Sequence, residues 1–313
     1  MPNKKLDELD NKLLLELQRD PRKSNARLAK SLGIAEPTVS RRIEHLVSSG
    51  GIIFTALPDM KWFGFQTSAY IGLKINEPAK IPQITEQLCQ SPDLRAVSSC
   101  EGYADLFVAG DFKSDEALAD FITEYLGKID GISHIDAMVE LKHVKQRTFG
   151  RIDSRDMKRN ITRREDVVVD DIDRRLILEL QKDCRAPLKK LARAVDMSEP
   201  TVHRRIKHLI ASGVIELTAT AYSKSTNSIR GFLAIEADMS KLLRVAKSIG
   251  RYPEVEFVGI FSGPSQILVG IRASSREQLS DFTTQVLAKT RGVVRISWMI
   301  YMKLLKQNFS WLQ

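Results

Sequence analysis

The chain has 313 residues, 43% hydrophobic and 28% charged, enough apolar material for two or more domains with cores and not the balance of a disordered or fibrous chain. Lys plus Arg outnumbers Asp plus Glu by 48 to 39, and the resulting net charge of +9 suits a polyanionic partner. Cys89, Cys100 and Cys184 are scattered, form no C-x-x-C pair and supply neither a metal nor a disulfide framework. No apolar run reaches membrane length and the first residues lack the apolar core of a leader, so a cytoplasmic protein without membrane contact is expected.

Leu6, Leu9, Leu13, Leu14 and Leu17 recur at helical spacing, and Pro21 closes that first helix. Leu28, Ala29 and Leu32 mark a short second helix that Gly33 stops. A third helix begins at Glu36-Pro37, with Val39, Ile43, Leu46 and Val47 on one face and Thr38, Arg41 and His45 on the other. Ser40, Arg42 and Glu44 flank that outer face. Helix, glycine-containing turn and helix form a helix-turn-helix pattern, and Ile52 to Thr55 adds a strand, a winged-helix-like ending. An outer face of Thr and Arg is what a reader of the major groove requires. Arg donates two parallel bonds to guanine, and Thr packs on a thymine methyl. For an isolated arginine pair, plain solvation of a surface helix would be the better explanation. The setting on a third helix, and the repeat described next, favour DNA.

Asp10 to Asp20 recurs at Asp173 to Asp183, and Glu36 to Leu46 recurs at Glu199 to Leu209 without a gap, roughly half the positions from Asp10 to Ile52 being identical in the second copy. The chain is a duplication. After each front module the pattern reads strand, helix, strand, strand, helix, strand. In the first half the strands are Thr67 to Ile75, Leu94 to Cys100, Asp105 to Phe112 and Ser133 to Lys142. Their helices follow Pro78 and span Ala117 to Leu126. In the second half the order is Gly231 to Ala237, Ser240 to Ile249, Val255 to Phe261, Ile267 to Ala273, Ser275 to Lys289 and Val294 to Met302. The fold class is α+β: two helix-turn-helix modules and two ferredoxin-like βαββαβ modules. Boundaries are expected at 1–57, 64–148, 169–220 and 229–313, with a basic linker at 149–168. A sheet covered by helices on one face needs a partner on the other, within the chain or between chains.

Asp10 to Asp20, Leu28-Ala-Lys, Gly33 to Leu46 and Gly102-Tyr-Ala-Asp105 together resemble the leucine-responsive/asparagine-type (Lrp/AsnC, feast/famine) regulators, here in a tandem-duplicated form. The resemblance implies a sequence-specific transcription regulator, modulated by an amino acid or similar small molecule, that binds double-stranded DNA. It implies an intrachain pseudo-dimer and further homo-oligomers. It places Thr38, Ser40, Arg41, Arg42 and His45 against DNA in the first copy, and Thr201, His203, Arg204, Arg205 and His208 in the second. It places an effector near Gly102, Tyr103 and Asp105, where the carboxylate would meet an ammonium or, equally, merely cap the turn. The second half has Gly263-Pro-Ser-Gln266 there, so effector chemistry is expected in the first half alone.

The alternative is an enzyme on the same scaffold, of the sirohaem-decarboxylase kind; the Thr-x-x-Arg-Arg retained in both copies weighs against it. No catalytic, nucleotide-phosphate or metal motif is present, and His45, His134, His143, His203 and His208 show no metal spacing within either back module, so no catalytic residue, metal or cofactor is expected.

Overall fold

The first helix begins where the sequence supplies a cap, and the cap is reciprocal. In this computed structural model, which describes residues 7–49, 51–146, 168–221 and 228–307, helix α1 spans Glu8–Arg19. The Asp7 carboxylate accepts from the Asp10 N–H at 2.7 Å, and the Asp10 carboxylate accepts from the Asp7 N–H at 3.2 Å. Helix α2, Asn25–Leu32, is capped by Ser24 and ends at Gly33 in the left-handed region, φ +68°. Helix α3 spans Glu36–Ser48 and strand β1 Ile52–Pro58. Val39, Ile43 and Leu46 are buried as expected, but Val47 is 46% exposed and leaves the core face.

The back module follows with β2 (Thr67–Ile75), α4 (Ile81–Gln90), β3 (Leu94–Gly102) and β4 (Leu106–Phe112). Helix α5, Asp115–Asp120, runs into a π turn at Phe121–Tyr125 instead of continuing as one regular helix. The wider turn keeps both Phe121 and Leu126 buried against the sheet. Strand β5, Ile132–Gln146, closes the first half. The second half gives α6 (Asp171–Lys182), α7 (Leu188–Val195), α8 (Glu199–Ala211) and β6 (Ile215–Ala221). Then come β7 (Ile229–Ala237), α9 (Leu242–Ile249), β8 (Val255–Ser262), β9 (Ile267–Ala273), α10 (Arg276–Asp281) and β10 (Val293–Gln307). The expected linker lies outside the described residues except for Val168.

The four modules assemble by kind, not by order in the chain. One unit joins the two helix-turn-helix modules, and the other joins the two βαββαβ modules. In the first unit β1 pairs antiparallel with β6, from Ile52 opposite Ala221 to Pro58 opposite Ile215. Thr55 faces Thr218, its own repeat counterpart, so an approximate two-fold axis passes between them. Helix α6 packs on β1 and α1 on β6, so each module covers the other's strand. In the second unit the sheets β3-β4-β2-β5 and β8-β9-β7-β10 close into one barrel.

Closure explains why the final strands outrun their expected ends at Lys142 and Met302. Beyond the stretch that pairs with β2, β5 pairs with β8 from Val139 to Gln146. Likewise β10 pairs with β7 up to Ile300 and with β3 from Met299 to Gln307. The open faces of the two sheets meet inside, around Phe107, Met138, Phe261, Leu268 and Met299. The partner that each half-covered sheet needs is the other half of the same chain.

Candidate nucleic-acid interface

Helices α3 and α8 present equivalent side chains. Arg41 and His45 are exposed on α3, as are His203, Arg204 and His208 on α8, while Thr38, Ser40 and Thr201 are half-buried. The first turns differ. Ala35 offers α3 no side-chain cap, whereas Ser198 Oγ accepts from the Thr201 N–H and bonds the Thr201 hydroxyl at 2.9 Å. Ser40 Oγ donates to Glu44 Oε1 at 3.0 Å, which ties the first helix's flank to an acid. The equivalents His203 and Lys207 are exposed and leave the second helix more basic.

Each arginine pair divides its labour. Arg42 Nη1 donates to Asp7 at 2.7 Å and to Asp10 at 2.6 Å, the two carboxylates of the α1 capping box. Arg205 does the same to Asp170 at 2.9 Å and Asp173 at 2.8 Å. These bonds raise both guanidinium pKa values; the Asp10 N–H, followed by Arg42, holds the Asp7 carboxyl below its usual range. Arg42 and Arg205 therefore clamp the third helix of each module to the start of its first. The sequence places all four arginines against DNA; the structure engages Arg42 and Arg205 inside the module, because two caps 35 and 32 residues upstream fold against them. Arg41 and Arg204 remain on the outer face.

Sequence reasoning passed over Arg22 and Arg185, which lock the two modules together. Arg22 donates to the carbonyls of Cys184 (2.7 Å) and Ala186 (3.1 Å). Arg185 donates to those of Pro21 (2.7 Å) and Lys23 (3.2 Å), and its guanidinium lies 5.1 Å from the Phe54 ring centre. Burial pushes the Arg185 pKa down. The signal was present: one arginine, at the same place after the first helix, in both copies.

The turn after β3 has a structural role. At Gly102, φ is +113°, and a Cβ there would lie 2.3 Å from the Trp298 carbonyl oxygen of β10. Gly263, at φ +114°, meets the Ala137 carbonyl in the same way at 2.8 Å. Tyr103 N–H donates to that Trp298 oxygen at 2.7 Å, and burial pushes its phenol pKa up, with a bond to Asp136 adding to the shift. Asp105 Oδ2 accepts from the Ile75 N–H at 2.8 Å, and Oδ1 lies 3.3 Å from the Lys74 ammonium. Gln266 Oε1 accepts from the equivalent Ala237 N–H at 3.2 Å. The change from aspartate to glutamine thus preserves one strand-end cap.

Two family models match the chain. An AsnC-type helix-turn-helix domain matches residues 6–47 and 169–210, and an Lrp/AsnC ligand binding domain matches 68–149 and 230–311, the latter alone covering more than half the chain. The chain belongs to the Lrp/AsnC family. It carries both of the family's domains twice, as a transcriptional regulator of the Lrp/AsnC type. Similar curated proteins include the HTH-type transcriptional regulator FL11 of Pyrococcus furiosus, 34% identical over 143 residues. That match spans 45% of this Lrp/AsnC chain and 94% of the relative. The regulator of the same name from Pyrococcus abyssi is 35% identical over 144 residues, spanning 45% and 95%. Each relative thus corresponds to one half. Among solved structures, the siroheme decarboxylase NirDL superposes with TM-score 0.63 at 14% identity, over 96% of this chain and 93% of that one, a likeness of fold. Among the described residues no helix is long and apolar enough to cross a membrane, and no group of His, Cys, Asp and Glu is placed to hold a metal ion.

Proposed function

We propose that the chain is a sequence-specific regulator that grips double-stranded DNA as its own pseudo-dimer, with α3 and α8 as the two reading helices. The observation that carries the reading is the exposed Arg41 and Arg204, each on the third helix of a helix-turn-helix module, in two modules joined about an approximate two-fold axis. The helices are not chemically equal: Ser40 and Glu44 stand opposite His203 and Lys207. The preferred site therefore has unequal half-sites, with stronger phosphate attraction at the half bound by α8. Selection of duplexes from a random pool by the purified chain, followed by footprinting, tests this; strictly equal half-sites would contradict it. Arg41→Ala with Arg204→Ala abolishes the preference, and retention of it would end the reading.

The back modules bind an amino acid or similar effector, as the family's ligand-binding domain suggests, near Gly102 and Tyr103, with Asp105 shaping the turn. Calorimetric titration with single amino acids, with and without the selected duplex, identifies the effector. Further homo-oligomers built from this pseudo-dimer belong to the same reading, and light scattering tests them. A second reading, a sirohaem-type decarboxylase, draws on the full-length overlap with NirDL. It predicts a shift in sirohaem absorbance on mixing, whereas the regulator reading predicts none.

A further inference from the structure

The lumen of the barrel holds one polar layer from each half, and the layers are not copies. In the first half it comprises Ser68, Arg95, Asp111 and Glu140, one residue from each of β2, β3, β4 and β5. Arg95 Nη1 lies 2.9 Å from Asp111 Oδ1, the Ser68 hydroxyl donates to Asp111, and Glu140 lies 2.8 Å from His143. The repeat counterparts, on β7, β8, β9 and β10, are Arg230, Glu256, Arg272 and Tyr301, with Arg272 Nε 3.0 Å from Glu256 Oε1. The sign is reversed at each member of the ion pair: Arg95 becomes Glu256, and Asp111 becomes Arg272. The remaining members differ too, a serine against an arginine and a glutamate against a tyrosine.

With histidine counted as neutral, formal charges sum to one negative in the first layer and one positive in the second. Asp111, Arg230 and Glu256 are all under 9% exposed, the rings of Tyr70, Phe107, Phe232 and Phe257 cluster together, and the Arg95 guanidinium lies 4.7 Å from the Tyr70 ring centre. In such a setting charge is weakly screened, so an uncompensated sum is costly. Pairing the first half with the second makes the two layers together neutral. Pairing either half with another copy of itself would bury two like charges.

We propose that these inverted layers are the pairing code of the barrel: they fit the first half to the second and reject a like half from another copy. Glu140 and Arg230 set the code, because their repeat counterparts, Tyr301 and Ser68, are neutral.

The test is a double-mutant cycle in the full chain. Glu140→Gln leaves the lumen at one positive charge, Arg230→Gln leaves it at one negative, and the two together restore zero. Thermal melting followed by near-ultraviolet dichroism reports on the ring cluster. The expected result is that the double variant melts higher than the sum of the two single shifts allows, and that Arg230→Lys stays near the parent. Additive shifts would overturn the proposal. Should Arg230→Gln fail to fold, rescue by the added Glu140→Gln supports it, and failure of that rescue overturns it.

Discussion

Replacing Arg42 or Arg41 by alanine should give two different proteins, although the residues are adjacent. Arg42 makes two charge-assisted bonds to the α1 cap, with its side chain 30% exposed and its partners Asp7 and Asp10 53% and 13% exposed. A hydrogen bond to a charged group contributes roughly 1.5–3 kcal/mol, and the exposure of this cluster discounts it to about 1–2 kcal/mol. Loss of the guanidinium also leaves two carboxylates facing each other at the first turn. Hydrogen exchange measures the consequence locally: protection of the α1 and α3 amides should fall by roughly tenfold per 1.4 kcal/mol lost. Arg41→Ala should leave that protection unchanged and instead weaken binding to the selected duplex by about 1–3 kcal/mol, the value of one good base contact. The clamp also has a pH signature. Asp7 is depressed in the folded chain, so its contribution is full above its unfolded pKa of about 4 and is lost as pH falls through the lower folded value. Arg42→Ala should diminish that acid-side loss but not erase it, because the Asp10 N–H still favours the charged carboxylate. Unchanged exchange in Arg42→Ala, together with a loss of DNA affinity matching that of Arg41→Ala, would refute this division of labour.

Other variants probe the remaining claims. Ala35→Ser should give α3 the cap that Ser198 gives α8 and stabilise the unit by about 1 kcal/mol, read from the urea midpoint of its helices. Gly102→Ala should destabilise the barrel by at least about 2 kcal/mol in melting experiments, because φ +113° and a carbonyl 2.3 Å from the new Cβ act together. Asp105→Gln should melt near the parent, as Gln266 already caps the equivalent strand end, whereas Asp105→Ala should cost about 1–2 kcal/mol by leaving the Ile75 N–H unpaired.

The modules were legible in the sequence because the information they need is local and is written twice. Helix caps, Gly33 and the buried stripe of α3 each depend on residues a few positions apart, and the repeat at Asp10 and Asp173 fixes the alignment of the two front modules. What escaped depends on distance along the chain. Spacing sets Arg41 on the outer face and Arg42 on its flank, but the clamp that Arg42 forms is made by carboxylates more than 30 residues away. The expected strands stop at Lys142 and Met302, short of the true ends of β5 and β10, because alternation breaks at register shifts, Glu140/Lys142 in one case and Tyr301/Lys303 in the other. At Asp105 the sequence leaves a ligand carboxylate and a turn cap equally open, because a carboxylate beside glycine suits both; the capping bond to the Ile75 N–H becomes visible only in the structure. The reversed ion pairs could be recognised only once the strand registers showed that Arg95 and Glu256 occupy the same place.

Duplication in one chain separates geometry from chemistry, and the contacts show where each is kept. Groups that set the relation of the halves are reciprocal: Thr55 with Thr218, Arg22 with Arg185, and Lys145 donating to Tyr252 as Lys306 donates to Ser91. A two-fold arrangement cannot tolerate divergence there, since one altered member leaves its counterpart's carbonyl unbonded. The outer faces of α3 and α8 touch no such constraint, whereas the lumen layers are complementary instead of identical, and in both places the copies differ in charge. A homodimer must present the same face twice and can demand only a palindrome. A linked pair holds the same frame while each face changes alone, so the proposed unequal DNA half-sites and the proposed pairing of the lumen layers would both follow from one covalent link.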